Sequence, residues 1–158
     1  MTPPSTEAGN AGVVVRPPFL YGGGFIVVLV LRWLWPMPIV GHGSPLWAAL
    51  ALSILGVAIV VLAARTLRAA GTNIDPMRPT TAIVTAGPYR CSRNPIYVGL
   101  TLLYLGLASA FNTWWTVIVL VPILAIMHLG VVRREERYLE QKFGEPYRQF
   151  CSRVRRYL

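Results

Sequence analysis

The chain has 158 residues, of which 54% are hydrophobic and only 13% are charged, and its formal net charge at pH 7 is +9. This composition lies outside the usual range of soluble globular domains and favours an integral membrane protein. No nucleic-acid-binding motif accompanies the positive charge, so we expect no nucleic-acid partner.

Four apolar stretches predict an all-α integral membrane fold with four transmembrane helices. Each stretch is close to the ~20 residues that cross a bilayer as a helix, and the third is the shortest. We expect the spans near residues 20–40, 46–64, 95–111 and 114–132. The first twelve residues are rich in Pro, Ser, Thr and Gly, so residues 1–18 are predicted to be disordered, and residues 19–158 form a single membrane-embedded domain.

The basic residues predict the orientation of the chain in the membrane. Of the 15 Lys and Arg residues, 14 lie before the first span, between the second and third, or after the fourth. The connections at residues 41–45 and 112–113 carry no Lys, Arg, Asp or Glu. This alternation follows the positive-inside rule and predicts that both termini are cytoplasmic. Arg32 is the exception, and we expect its side chain to snorkel toward the opposite surface.

The two cysteines, Cys91 and Cys151, lie in segments that are predicted to be cytoplasmic, where thiols stay reduced. Their spacing matches no metal site. We therefore expect two free thiols and no bound metal.

The segment GPYRCSRNPIYVGL, residues 87–100, is unusually polar for the start of a span. Asn94 is a favourable N-cap and Pro95 is favoured at the first helical position, so a helix is predicted to begin here with its free amides at the cytoplasmic edge. Such an end suits an anion. Capping does not explain the arginines and tyrosines that crowd the same place, which are Tyr89, Arg90, Arg93 and Tyr97.

The fourth span contains a histidine, His128, which is followed by the acid pair Glu135 and Glu136. Helical spacing predicts that His128 and Glu135 share one face. A lone histidine inside a membrane is either a packing residue or part of a chemical site, and both interpretations stay open. Because only a few residues separate the third and fourth spans, a hairpin would place the acid pair beside the start of the third span.

The remaining residues, RREERYLEQKFGEPYRQFCSRVRRYL, predict two short interfacial helices as a C-terminal cap over residues 133–158. Gly144 ends the first helix and Pro146 begins the second. The apolar residues of the second follow a helical period opposite a group of arginines, which is typical of an amphipathic helix on a membrane surface. These apolar residues are Tyr147, Phe150, Cys151, Val154, Tyr157 and Leu158.

Two segments resemble a known family. GPYRCSRNPIYVG resembles a G-P-Y motif followed by R-H-P-x-Y-x-G, and EERYLEQKFGEPYRQF resembles an E-E pair followed by L, F-G and Tyr. Both patterns are typical of the isoprenylcysteine carboxyl methyltransferase and phospholipid methyltransferase family of integral membrane enzymes. The resemblance covers roughly residues 71–158, and the rest of the chain adds only a compatible topology.

The resemblance implies methyl transfer from S-adenosylmethionine to a lipophilic acceptor at the cytoplasmic face of the bilayer. The cofactor would lie between a loop at residues 71–94 and the C-terminal cap. Glu135 is the candidate catalytic acid, and His128 is a second catalytic candidate. Tyr147 and Phe150 would close the pocket. The implied cofactor-binding residues are Tyr89, Arg93, Asn94, Tyr97 and Glu136.

Two departures from the family pattern bear on the chemistry. Asn94 stands where the common motif has His, which keeps hydrogen bonding but removes a titratable group. Members that methylate a lipid-linked carboxylate carry a basic residue about one turn before the acid pair, where this chain has Gly130, Val131 and Val132. The acceptor group therefore stays open among carboxylate, amine, thiol and hydroxyl.

Two other classes of protein fit the size and hydropathy of the chain. One is a small four-helix transporter, and the other is a non-catalytic membrane lipid-binding protein. Transport sites usually place ionisable groups or broken helices near the bilayer midplane. Here the polar residues gather at the cytoplasmic edge, which favours the methyltransferase.

Overall fold

The computed structural model describes residues 10–39 and 46–158. Within these ranges the chain is all-α, as predicted, with no β-strand and with a short 3-10 turn at Gly87–Arg90. The described part contains five helices, which are α1 (Pro17–Leu34), α2 (Leu46–Ala69), α3 (Pro95–Ser109), α4 (Trp115–Phe143) and α5 (Glu145–Arg153).

Three of these helices, α1, α2 and α4, are long and apolar enough to cross a membrane. Helix α3 has 15 residues. At ~1.5 Å per residue it is roughly 22 Å long, which is less than the ~30 Å hydrocarbon core of a bilayer. Three of the four predicted spans therefore correspond to helices that are long and apolar enough to cross a membrane, and the fourth span, at α3, stays a prediction.

Helix α1 occupies a different range from the predicted span at residues 20–40. It begins at Pro17 and ends at Leu34. Pro36 and Pro38 follow, and proline cannot supply the amide hydrogen that continues a helix, so the chain leaves the helix before them. Residue 40 lies outside the described residues.

The segment before α1 packs against α4 where the sequence predicted disorder over residues 1–18. The Val14 amide donates to the Gly130 carbonyl at 3.1 Å, and Arg134 Nη1 donates to the Gly12 carbonyl at 2.8 Å. Val13 is buried in the main apolar core. Long-range contacts therefore order residues 10–18, whereas residues 1–9 lie outside the described residues.

Helix α4 is continuous past the predicted end at residue 132, and its hydrogen-bonding pattern changes on the way. A π-helical segment, Met127–Val132, joins the α-helical stretches Trp115–Ile126 and Arg133–Phe143. A π turn holds more residues than an α turn, so the residues after it are rotated about the helix axis relative to those before it. The segment includes Gly130, whose carbonyl accepts the hydrogen bond from Val14.

Helix α3 makes its most extensive contacts with α2, and α1 packs against both α3 and α4. Glycines allow the backbones of α2 and α3 to approach closely. A Cβ atom on Gly56 would lie 2.6 Å from the Leu103 amide nitrogen and 2.7 Å from the Gly99 carbonyl oxygen. The close packing of α2 against α3 therefore fixes the positions of the two ends of the loop that connects them.

The loop after α2 begins as the sequence predicted. Gly71 has a φ of +69°, and the Thr72 amide donates to the Leu67 carbonyl at 3.1 Å, which satisfies the end of the helix. The loop then crosses to the C-terminal part of the chain, where a second apolar core forms. Its buried members are Ala63, Val84, Tyr89, Tyr147 and Phe150.

Helix α5 begins after Gly144, with Pro146 in its first turn, as predicted. It ends at Arg153, and Val154 has extended backbone angles. The sequence suggested a helix that continues to Leu158, but the helix ends five residues before it. We call residues 154–158 the C-terminal segment. It returns across the start of α3, where the Arg155 carbonyl accepts a hydrogen bond from the Arg93 amide.

Candidate active site

A cavity lies between four elements of the structure. These are the start of α3, the polar part of α4 (Arg133–Phe143), helix α5 and the loop before α3. We call this space the polar cavity. Eight of the nine candidate residues from the sequence line it, and the ninth, His128, does not. The eight are Tyr89, Arg93, Asn94, Tyr97, Glu135, Glu136, Tyr147 and Phe150.

Tyr97 joins α3 to α4 inside this cavity. Its hydroxyl lies 2.8 Å from both Oε1 and Oε2 of Glu135 and donates to this carboxylate. Glu135 forms no ion pair with any residue that the structure describes. Its carboxylate is therefore oriented by a neutral donor and available to a cationic ligand.

The neighbouring Glu136 is engaged by two arginines. Arg156 Nη2 lies 2.7 Å from Glu136 Oε2, and Arg93 Nη1 lies 3.2 Å from Oε1. The Arg93 and Glu136 side chains are only 14% and 15% exposed. Hydrogen bonding to Glu136 raises the pKa of Arg156. Glu136 thus fixes Arg93 in the cavity wall and ties the C-terminal segment to α4.

The Arg93 guanidinium has a buried N–H donor from which no described residue accepts a hydrogen bond. Its Nη1 also approaches Cys151 Sγ at 2.6 Å, but its Nε is buried with no hydrogen-bond partner in the described part of the chain. Leaving a buried donor unsatisfied is costly, and a ligand acceptor in the cavity would remove that cost.

Cys151 and Cys91 are both free thiols, as predicted.

Asn94 occupies the N-cap position of α3 without a side-chain capping bond. Its Nδ2 donates instead to the Arg156 carbonyl at 3.0 Å, and the Arg93 amide donates to the Arg155 carbonyl at 3.0 Å. Asn94 is therefore the N-cap residue and Pro95 begins the helix, as predicted, but the Asn94 side chain makes its hydrogen bond to the C-terminal segment and not to the helix. Carbonyl oxygens of the C-terminal segment therefore accept hydrogen bonds from these two donors at the start of α3.

Tyrosine and phenylalanine rings form another part of the wall. Tyr89 is buried and lines the polar cavity. Burial, and to a lesser degree the nearby Glu135, raises the pKa of Tyr89, and burial also raises the pKa of Tyr147. Both phenols therefore stay neutral and can donate. The Tyr147 and Phe150 rings have centroids 6.3 Å apart.

The polar cavity is small in this conformation. About 120 Å³ of it is open to water-sized molecules, whereas ligand clefts usually span ~300 Å³ or more. The C-terminal segment covers the start of α3, and the loop before α3 lines another side. A ligand larger than a few atoms would need one of these two elements to move.

A second cavity, which we call the apolar cavity, has a volume of about 410 Å³ and contains His128. His128 Nδ1 lies 3.0 Å from the Tyr157 hydroxyl. The prediction that His128 and Glu135 share one face is wrong, because the π-helical segment between them rotates one relative to the other. Tyr97 lines both cavities.

The loop before α3 contributes polar residues that the sequence reasoning did not single out. Asn73, Asp75 and Thr80 line the polar cavity. Asn73 Nδ2 donates to the Pro79 carbonyl at 2.7 Å, which folds the loop back on itself. The available signal was the presence of polar residues beside the prolines Pro76 and Pro79, within the predicted cofactor loop at residues 71–94.

A family model described as phospholipid methyltransferase matches residues 45–146. This range is well over half of the 158 residues. The chain belongs to the phospholipid methyltransferase family. The match includes the start of α3 and the acid pair on α4, and it ends just before Tyr147. Membership of this phospholipid methyltransferase family, together with three membrane-length helices, makes the protein an integral membrane protein.

The cobalt-zinc-cadmium resistance protein CzcN of Cupriavidus metallidurans is 37% identical to this phospholipid methyltransferase family member over 68 residues. The alignment covers 43% of this chain and 32% of CzcN, so the chain spans about a third of that relative. Within the described ranges there is no group of three or more His, Cys, Asp or Glu residues that could hold a metal ion.

Proposed function

We propose that this protein transfers a methyl group from S-adenosylmethionine to a lipophilic acceptor at the cytoplasmic face of the membrane. The observation that supports the proposal best is the position of Tyr97, which lines both cavities and hydrogen-bonds to Glu135. A donor in the polar cavity and an acceptor in the apolar cavity would meet at this side chain. With both termini cytoplasmic, the polar cavity faces the compartment that supplies the water-soluble donor.

The residues of the polar cavity fit the chemistry of S-adenosylmethionine. The unsatisfied Nε of Arg93 suits the carboxylate of the donor, and the unpaired carboxylate of Glu135 suits its positive charge. Aromatic faces such as those of Tyr147 and Phe150 suit both a cation and a planar base. Tyr89, Asn94 and Tyr97 would add neutral hydrogen bonds, and Glu136 would act by holding Arg93.

The volume of the polar cavity implies a rearrangement when the donor binds. The C-terminal segment is held at the start of α3 by Asn94 and by the ion pair between Arg156 and Glu136. These contacts are polar, and the Arg156 side chain is 39% exposed, so they can be exchanged for contacts with a polar ligand. We infer that this segment shifts to admit the donor, with Tyr147 and Phe150 closing over it.

S-adenosylmethionine supplies an activated methyl group, which is transferred by in-line displacement. The protein then needs neither a metal nor a covalent nucleophile, and its main contribution is to hold two reactants in line. Positioning of this kind contributes up to ~7–11 kcal/mol in favourable cases. Glu135, oriented by Tyr97, would attract the positive end of the donor toward the junction of the two cavities.

The lining of the apolar cavity narrows the choice of acceptor. No Lys or Arg is among the described residues that line it. A carboxylate there would be buried without a counter-charge, which is costly. We therefore favour an amine, thiol or hydroxyl. If Nδ1 of His128 donates to the Tyr157 oxygen, Nε2 of His128 remains free to accept the proton of such a group.

The first experiment measures thermal unfolding of the detergent-purified protein with S-adenosylmethionine and with its demethylated product. A ligand that binds the native state stabilises it, by about 2.7 kcal/mol at a concentration 100 times its Kd. The proposal predicts a concentration-dependent rise in Tm with both ligands. No rise at millimolar concentration would contradict it and favour the transporter or the non-catalytic lipid-binding protein.

A further inference from the structure

Tyr21 on α1 separates two apolar spaces. On one side lies the apolar cavity, with a volume of about 410 Å³. On the other side lies a space of about 230 Å³, which we call the α1–α3 groove. Tyr21 lines both. The other residues of the groove are Pro18, Gly22, Phe25, Leu100, Leu103, Tyr104 and Leu107.

The Tyr21 side chain is held in a fixed position. It is only 5% exposed, and its hydroxyl lies 2.7 Å from Thr101 Oγ1. Thr101 Oγ1 itself donates to the Tyr97 carbonyl at 2.9 Å, so the Tyr21 hydroxyl is the donor in the first bond. The Tyr21 ring meets Tyr104 edge to face at a centroid distance of 6.1 Å. Tyr21 therefore forms a rigid partition between the two spaces.

We propose that Tyr21 sets the length of hydrocarbon chain that the protein accepts, an inference that rests on the proposed binding of the acceptor in the apolar cavity. Each polar side chain that lines this cavity makes a hydrogen bond to another protein group, which leaves Nε2 of His128 for the reactive end of an acceptor; these side chains are Tyr21, Tyr97, Thr101, His128 and Tyr157. The rest of the lining is apolar. A saturated chain fits such a lining, with its reactive end near Tyr97 and its far end stopped by Tyr21.

Gly22 supplies a way to test the partition independently. It lines the α1–α3 groove, and a Cβ atom added to it would meet nothing within 4 Å. A larger side chain at this position would fill the groove without touching the apolar cavity. Removing the Tyr21 ring should therefore join the two spaces, and adding a side chain at Gly22 should close the new space again.

The experiment measures binding of straight-chain primary alcohols of increasing length to the purified protein by native mass spectrometry. For each length, the affinity of a variant is divided by that of the wild type, so that partitioning of the alcohol into detergent cancels. For Tyr21→Ala we expect a constant ratio for short chains. Beyond the length that fills the wild-type cavity, the ratio should rise by about fourfold for each further methylene that becomes buried.

Three further variants complete the test. Tyr21→Phe keeps the ring and should keep the wild-type length limit. Tyr21→Ala combined with Gly22→Leu should return the limit toward that of the wild type. Tyr21→Leu replaces the ring by a smaller side chain. It takes the place of Tyr21→Ala in the experiment if gel filtration shows that Tyr21→Ala is not folded.

A ratio that is the same at every chain length, in either Tyr21→Ala or Tyr21→Leu, would overturn the inference. So would a length limit that changes equally in Tyr21→Phe, because the hydroxyl and not the ring would then be responsible. Alcohol binding does not require S-adenosylmethionine. The protein could therefore show a length limit that depends on Tyr21 and still fail to bind S-adenosylmethionine. That result would contradict the proposed function but would support the role of Tyr21 as a partition.

Discussion

The Tyr97 hydroxyl lies within 2.8 Å of both carboxylate oxygens of Glu135, although 38 positions of sequence separate the two residues. This contact holds the first turn of α3 against the polar part of α4. It also places a carboxylate without an ionic partner beside the only side chain, among the described residues, that lines both the polar and the apolar cavity. The proposed reaction depends on this junction.

Replacing Glu135 by Gln should reduce turnover far more than cofactor affinity. Gln keeps the size of the side chain and can still accept a hydrogen bond from Tyr97, and Arg93 and the aromatic rings still hold the donor, but an amide cannot take up the proton of an amine, thiol or hydroxyl acceptor as a carboxylate can. We expect kcat to fall by about 100-fold or more, equivalent to ~2.7 kcal/mol of barrier. Labelled methyl transfer gives kcat, and thermal stabilisation gives the cofactor Kd.

The matched control for this substitution is Glu140→Gln, which removes an exposed carboxylate from the same helix. It should leave both quantities nearly unchanged. Equal turnover in the Glu135→Gln variant and the wild type would show that Glu135 does not serve the reaction.

Replacing Arg93 by Lys should weaken cofactor binding. The positive charge remains, but Lys lacks the buried Nε donor that has no partner in the described protein. A hydrogen bond to a charged group contributes ~1.5–3 kcal/mol, so we expect the cofactor Kd to rise by about 10- to 100-fold. The control is Arg90→Lys, because Arg90 is exposed one turn away. An unchanged Kd in Arg93→Lys would place the donor elsewhere.

Replacing Arg156 by Ala should accelerate cofactor association. The change removes the ion pair with Glu136, which helps to hold the C-terminal segment over the start of α3. If the segment has to shift before the donor enters, the association rate constant should increase several-fold. Stopped-flow fluorescence would measure it, with Arg153→Ala as a control on an exposed neighbour. A slower association would mean that Arg156 contributes to binding and does not obstruct it.

Replacing Gly56 by Ala should destabilise the fold. The new Cβ atom would lie 2.6 Å from the Leu103 amide nitrogen, and backbone atoms cannot move aside as a flexible side chain can. Overpacking of this kind costs ~1–3 kcal/mol. Gly23→Ala is the control, since a Cβ there meets nothing within 4 Å and Ala favours a helix by up to ~1 kcal/mol. Thermal unfolding should show opposite shifts, and a Gly56→Ala variant as stable as the wild type would contradict the close packing.

Local rules predicted the ends of several elements. Gly71 and Gly144 end helices because a positive φ is easy for glycine, and Pro95 begins α3 because its fixed φ suits a first turn. The grouping of candidate residues was also predictable. The short connection between α3 and α4 brings the start of one helix near the polar part of the other, so Tyr97 and Glu135 meet.

Long-range hydrogen bonds account for what the sequence could not reveal. The bond from Val14 to Gly130 joins residues whose pairing no local pattern indicates, and it accompanies the π-helical segment that turns His128 away from Glu135. The apolar period from Tyr147 to Leu158 resembled one continuous helix. Its last part leaves the helix at Val154 instead, and backbone carbonyls of the C-terminal segment accept hydrogen bonds at the start of α3.

The most direct test of the central claim is incubation of the purified protein with methyl-labelled S-adenosylmethionine and a total membrane lipid extract. The label should appear in a lipid-soluble product on an amine, thiol or hydroxyl group, and it should nearly disappear with Glu135→Gln. Transfer that persists undiminished in that variant, or no labelled lipid at all with the wild-type protein, would contradict the claim that the two cavities meet at Tyr97 for methyl transfer.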